Sequence, residues 1–184
     1  MTKAKGSRRE NPVVFLDITV AKQYIGRLLI EVRADIVPKA AENFRALCTG
    51  DCKDARGRPL HYLGTQVPIN RIVLDSHLQA GDIDGNGGVS IYPSRLFEDE
   101  NFLLRHVGPG TVSMVNAGPD SNGSQFNLLF ASAPWLDNKN VVVGGLLGER
   151  SFETLGRLQQ LAATESGMPK AAVLISNCGQ VFPY

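Results

Sequence analysis

Four groups of residues in this 184-residue chain could carry chemistry by type and spacing. Asp82-Ile83-Asp84-Gly85-Asn86-Gly87 sets side-chain oxygens at alternate positions and closes on glycine, the opening of a loop that wraps calcium. The position that should carry a bidentate glutamate is Pro93, and no helical pattern flanks the segment, so an acidic, glycine-rich surface loop is the stronger reading. Asp75-Ser76-His77 holds the residue types of an acyl-transfer triad. Consecutive residues are not expected to aim their side chains at one another, however, and no Gly-x-Ser-x-Gly elbow is present. His61, His77 and His106 show neither metal-ligand spacing nor an obvious thiol to activate. Cys48, Cys52 and Cys178 are odd in number and lack a CxxC pair, which argues against a disulfide framework and a zinc site. Free thiols, no metal and no cofactor are expected.

The composition narrows the partners. Lys+Arg 19 against Asp+Glu 18 leaves a net charge of +1, too little to draw the chain to nucleic acid by charge. At 43% hydrophobic and 20% charged the chain can build a core, and its length suits one domain. No apolar run reaches the roughly 20 residues of a membrane span, and the first residues lack the apolar stretch of a signal peptide. A monomeric cytoplasmic or nuclear protein with no membrane partner is expected. Residues 1–11 read as a flexible basic tail, which fits a solvated terminus or a weak nuclear signal, and residues 12–184 as the domain. Asn122-Gly123-Ser124 matches a glycosylation acceptor, which should stay unmodified without secretion.

The elements that must position any site follow from periodicity. Val14, Leu16, Ile18 and Val20 alternate with their neighbours, as do Leu28, Ile30 and Val32, which predicts a strand pair. Pro38 in a first turn, Ala41, Phe44 and Leu47/Cys48 at helical spacing, and Gly50 as terminator predict one helix. A second should start at Ser151 as N-cap and repeat through Phe152, Leu155, Leu158 and Leu161. Short β-rich runs at 111–115, 125–130, 141–143 and 172–176, parted by Gly, Pro, Asn and Asp, favour a barrel or sandwich.

The longest ordered motifs lie between the helices: Phe97-Glu98-Asp99-Glu100-Asn101-Phe102, Gly108-Pro109-Gly110, Ser113-Met114-Val115-Asn116-Ala117-Gly118-Pro119, Asn122-Gly123-Ser124-Gln125-Phe126 and Trp135-Leu136-Asp137. Together with Val37-Pro38-Lys39-Ala40-Ala41-Glu42-Asn43-Phe44 and Asn177-Cys178-Gly179-Gln180 they resemble the cyclophilin signature from about Pro12 to Gln180. The resemblance implies an all-β-dominated fold, a closed eight-stranded antiparallel barrel capped by two α-helices. It also implies peptidyl-prolyl cis-trans isomerase activity on proline-containing peptides or protein clients.

Amide resonance sets a barrier of about 18–20 kcal/mol to rotation about the Xaa-Pro bond. No nucleophile, metal or cofactor is needed, because a fixed cation donating to the proline nitrogen stabilises the twisted state in which that lone pair leaves conjugation. The resemblance assigns this role to Arg71, whose planar guanidinium stays charged in one orientation. It assigns substrate binding to Gln79, Asn116, Gln125, Trp135 and Leu136.

The family's proline pocket, usually two phenylalanines, a methionine, a leucine and a histidine, keeps only Leu136. Ser76, His77, Asn127 and Asn140 replace the others, and Val115 stands where a small alanine is usual. Losing a buried aromatic contact costs on the order of 1.5–3 kcal/mol, so two losses weaken proline binding by about two to four orders of magnitude. Weak isomerase activity and weak cyclosporin binding are expected, with a catalytically inactive binding module as the alternative. The stretch between Gly50 and Arg71 resembles that of a divergent-loop subgroup, in which a cysteine pair matching Cys48 and Cys178 is linked to redox control. Two reduced thiols are the alternative there, and the glutamate that ties down that loop is Val89 here.

Overall fold

A computed structural model describes residues 10–63, 68–162 and 167–183. Most of the basic tail, residues 1–9, lies outside them. Asn11, assigned to that tail, is instead bonded into the fold: its amide donates to Glu31 Oε1 at 2.9 Å and its oxygen accepts Asp35 N–H at 3.0 Å.

The chain forms β1 (Val13–Val20), β2 (Gln23–Val32), α1 (Pro38–Thr49), β3 (Cys52–Lys53), β4 (Pro59–Leu60), β5 (Arg71–Val73), β6 (His77–Ala80), β7 (Thr111–Met114), β8 (Phe126–Leu129), β9 (Val142–Leu147), α2 (Glu149–Gln159) and β10 (Val173–Phe182). Eight strands make one antiparallel sheet in the order β10-β1-β2-β9-β7-β8-β6-β5, and β3 and β4 form a separate hairpin. Its two end strands approach through the residues leading into β5, where Pro68 bridges Leu174 and Ile69 N–H donates to Val173 O at 2.9 Å.

The alternation in β1 and β2 buries Val14, Leu16, Ile18, Leu28, Ile30 and Val32 to 1% exposure or less, because successive strand side chains face opposite sides. α1 closes over this core with Ala41, Phe44, Leu47 and Cys48, and ends where Gly50 takes φ 73. The rings of Phe44, Tyr62 and Phe126 meet at 5.2–5.6 Å between centroids, and Tyr62 donates its hydroxyl to Ser124 O at 2.7 Å. That bond removes the penalty of burying a phenol.

α2 differs from expectation at its start. It begins at Glu149 after Gly148, so Ser151 is no N-cap but a buried residue of the first turns. Its hydroxyl accepts Leu29 N–H at 3.0 Å, giving a partner to a backbone donor at the end of the β2–β9 ladder. Phe152 is consequently 42% exposed, while Leu155 and Leu158 face the core. The helix lies so close to β2 that a Cβ on Gly26 would fall 2.1 Å from Thr154 Oγ1.

Candidate active site

β5, β6, β8 and β7 lie side by side, and register partners on adjacent strands point to the same face. Ile72, Leu78, Leu128 and Val112 are aligned on the core face, at 1% exposure or less. The neighbouring row, turned to the outer face, is Arg71 opposite Gln79, Gln79 opposite Asn127, and Asn127 opposite Ser113. His77, two residues before Gln79, shares that face and pairs with Val73 and Leu129. The ladder thus brings together Arg71, Gln79, Asn127 and His77.

Among the described residues Arg71 has no hydrogen-bond or ion-pair partner, and it is exposed. Gln79 Nε2 donates to Gln125 Oε1 at 3.0 Å, and Gln125 Nε2 donates to Gly87 O at 3.0 Å. This relay fixes the Gln79 amide, and among the described residues no donor takes up its side-chain oxygen. Asn127 is 6% exposed, yet its carboxamide has no side-chain hydrogen bond to another described residue. Ser113 Oγ beside it is fully buried and also without a partner.

Ser76 and His77 correct the expectation that neighbouring side chains do not meet: Ser76 Oγ lies 2.9 Å from His77 Nδ1. The tight turn that joins β5 to β6, closed by Ser76 N–H to Val73 O at 3.1 Å, directs both to the same side. Asp75 is drawn away instead, accepting Gln159 Nε2 at 2.7 Å, so the three residues do not form a triad. Burial, and secondarily the Arg71 charge, hold the His77 imidazole below its ordinary value of 6.5, which keeps it neutral at pH 7.

Asn116 and Asn140 tie the loop before β9 to the end of β7. Asn116 Nδ2 donates to Lys139 O at 2.6 Å, and Asn140 Nδ2 donates to Met114 O at 3.0 Å. The Asn140 amide is therefore committed to backbone. Val115 N–H donates to Gln125 O at 2.9 Å, extending the β7–β8 pairing toward the Gln79 relay. Trp135 and Leu136 sit on one 3-10 turn, Pro134–Leu136, with Trp135 56% exposed. Sequence reasoning missed what holds this turn: Asp137 Oδ1 accepts both His106 N–H, 2.9 Å, and His106 Nδ1, 2.8 Å. Those bonds from His106 hold the Asp137 carboxyl below the usual carboxylate range.

The cysteines of the suggested redox pair lie on α1 and β10 and are not joined. His61, thought to lack a thiol partner, corrects that expectation: its Nε2 is 3.3 Å from Cys178 Sγ and 2.9 Å from Cys48 O. α1 and β10 pack together, which brings residues far apart in sequence around one imidazole. Burial pushes the Cys178 thiol up to about 12 and Cys48 well above its ordinary value. The β3–β4 hairpin needs no tie from Val89, since Asp54 Oδ1 accepts Arg56 N–H at 2.8 Å and Arg58 N–H at 2.9 Å within it. Val89 packs against the core. In the 82–87 loop, Asp84 Oδ2 faces Arg95 Nη2 at 2.6 Å and Asp84 Oδ1 accepts Asn86 N–H at 3.1 Å. No cluster of three or more potential metal ligands occurs among the described residues. None of their helices is long and apolar enough to cross a membrane.

An exposed arginine set on the outer face of an eight-stranded antiparallel sheet, opposite a glutamine amide held by a neighbour, can stabilise charge redistribution in an amide without covalent chemistry. Residues 15–180 match the family described as cyclophilin type peptidyl-prolyl cis-trans isomerase/CLD. The chain belongs to that family. It is also 44% identical, over 94% of its length and 85% of the relative's, to peptidyl-prolyl cis-trans isomerase CYP22 of Arabidopsis thaliana.

Proposed function

We propose that this protein is a weak peptidyl-prolyl cis-trans isomerase of protein clients, with Arg71 donating to the proline nitrogen of the twisted Xaa-Pro bond. The observation that carries the reading is the exposed Arg71 directly opposite Gln79, whose amide is held by Gln125. Gln79 and Asn116 bind substrate backbone, and Trp135 and Leu136 form the wall. On this reading the sheet is a closed barrel, its ends joined where Ile69 meets Val173. Activity is low because Asn127, His77 and Ser76 put polar groups beside Arg71, and cyclosporin binds poorly for the same reason. The loss of apolar contact acts mainly on binding, about 1.5–3 kcal/mol for each aromatic replaced.

A second reading, a binding module without catalysis, draws support from Asn127: its carboxamide, without a hydrogen bond to another described residue, suits a ligand that hydrogen-bonds better than a proline ring does. Exchange NMR on a series of Xaa-Pro peptides separates the two. Acceleration that disappears in Arg71→Ala supports the isomerase, and its absence from the folded wild-type protein supports the binding module.

A further inference from the structure

Arg71 is a long, exposed side chain with no hydrogen-bond or ion-pair partner among the described residues. Gly167 lies beside it. Gly167 is buried with φ +81, and its carbonyl accepts Ile72 N–H at 2.7 Å. β5 is an end strand of the sheet, so this bond lays the glycine backbone along the otherwise unpaired edge next to Arg71. A Cβ on Gly167 would lie 2.5 Å from Arg71 Cγ, 3.1 Å from Arg71 Nε and 3.3 Å from Val73 Cγ2. The first of these is closer than carbon atoms can approach, and the contact falls on the arginine stem.

We propose that Gly167 is a positioning residue for Arg71: its bare backbone forms a wall against which the arginine stem lies, and only glycine leaves room for the stem there. The inference rests on the reading of Arg71 as the cation that acts on the Xaa-Pro bond. Two features of Gly167 act together. The hydrogen bond to Ile72 fixes the wall's distance from β5, and the missing Cβ gives the stem its seat. A side chain at 167 would push the guanidinium out of its orientation while leaving the strand ladder β5–β6 intact. Orientation of a catalytic group is costly to lose, since a displacement of about 1 Å can reduce a rate by about a hundredfold.

The test uses the full chain with Gly167→Ala and Gly167→Asn. Asparagine tolerates a left-handed backbone better than alanine, so it isolates the Cβ contact from backbone strain. Gly57→Ala is the control, because Gly57 has a similar φ of +77 with nothing within 4 Å of an added Cβ. Two readouts are taken: the Arg71 Nε–Hε resonance in the free protein, and kcat and KM on an Xaa-Pro peptide. In both Gly167 variants the resonance should move, and kcat should fall by about tenfold to a hundredfold with KM nearly unchanged, since the lost interaction belongs to the transition state. The control should match wild type. A folded Gly167→Asn with wild-type resonance, or with a moved resonance but wild-type kcat, overturns the proposal. Should wild type itself show no acceleration, the catalytic role of Arg71 fails, and the resonance alone decides whether Gly167 seats it. Should neither Gly167 variant fold, Arg71→Ala supplies the answer: removing the stem should shift the Gly167 amide resonance, and an unmoved resonance overturns the contact.

Discussion

Asn127 stands directly opposite Gln79 across the β6–β8 ladder, with 6% of its surface exposed and its carboxamide unbonded to any described side chain. A carboxamide at this point offers a donor and an acceptor where a proline ring would need apolar surface. This one position therefore bears on ligand choice.

Replacing it with an apolar ring tests which ligand the site prefers. Asn127→Phe should raise kcat/KM on Xaa-Pro peptides by about ten- to a hundredfold, the equivalent of 1.5–3 kcal/mol of restored apolar contact. Exchange NMR measures the rate. An unchanged or lower rate in the folded variant would count against a proline ring seated at residue 127.

Ser151 illustrates a helix residue whose value lies in another element. Ser151→Ala removes the acceptor of Leu29 N–H and should destabilise the protein by about 1–3 kcal/mol, the cost of an unsatisfied buried donor. Urea denaturation measures it, and a loss below about 0.5 kcal/mol would mean that water replaces the hydroxyl.

His77 should make stability depend on pH. Because burial and Arg71 depress its folded pKa below 6.5, the unfolded chain takes up the proton first as pH falls. The stability carried by neutral His77 is complete above about 6.5 and is lost as pH drops through the folded value. Denaturation midpoints of wild type and His77→Met between about pH 5 and 7 should diverge, with the flatter profile in the variant. Parallel profiles would place the titrating group elsewhere.

Thiol labelling should order the cysteines. With burial raising Cys178 to about 12 and Cys48 well above its ordinary value, both should react slowly with iodoacetamide in the folded protein, and half-buried Cys52 first. Rapid labelling of Cys178 would show that His61 draws the proton from the thiol, and would favour the redox reading of the pair.

Much of the fold was legible because its signals are local. Alternation in β1 and β2, the proline-to-glycine span of α1, and the ordered motifs from Phe97 to Asp137 each depend on residues near one another in the chain. Helix α2 was legible in its Leu155 and Leu158 spacing but not at its start, because Ser151 satisfies a donor on β2 that no local pattern reveals. The candidate site divides in the same way. Family motifs pointed to Arg71, Gln79, Asn116, Gln125 and Trp135, and to the polar replacements Asn127, Ser76 and His77.

Sequence by itself thus determined the family and the residue types around Arg71, since both follow from composition and order along the chain. Tertiary structure decided which of those residues share a face, that Ser76 reaches His77 while Asp75 turns to Gln159, that His61 meets Cys178, and that Gly167 lies against the Arg71 stem. The reason is physical: strand register and the packing of α1 on β10 and of Gly167 on β5 bring together residues far apart in the chain, 117 positions for His61 and Cys178, and these contacts have no periodicity to read.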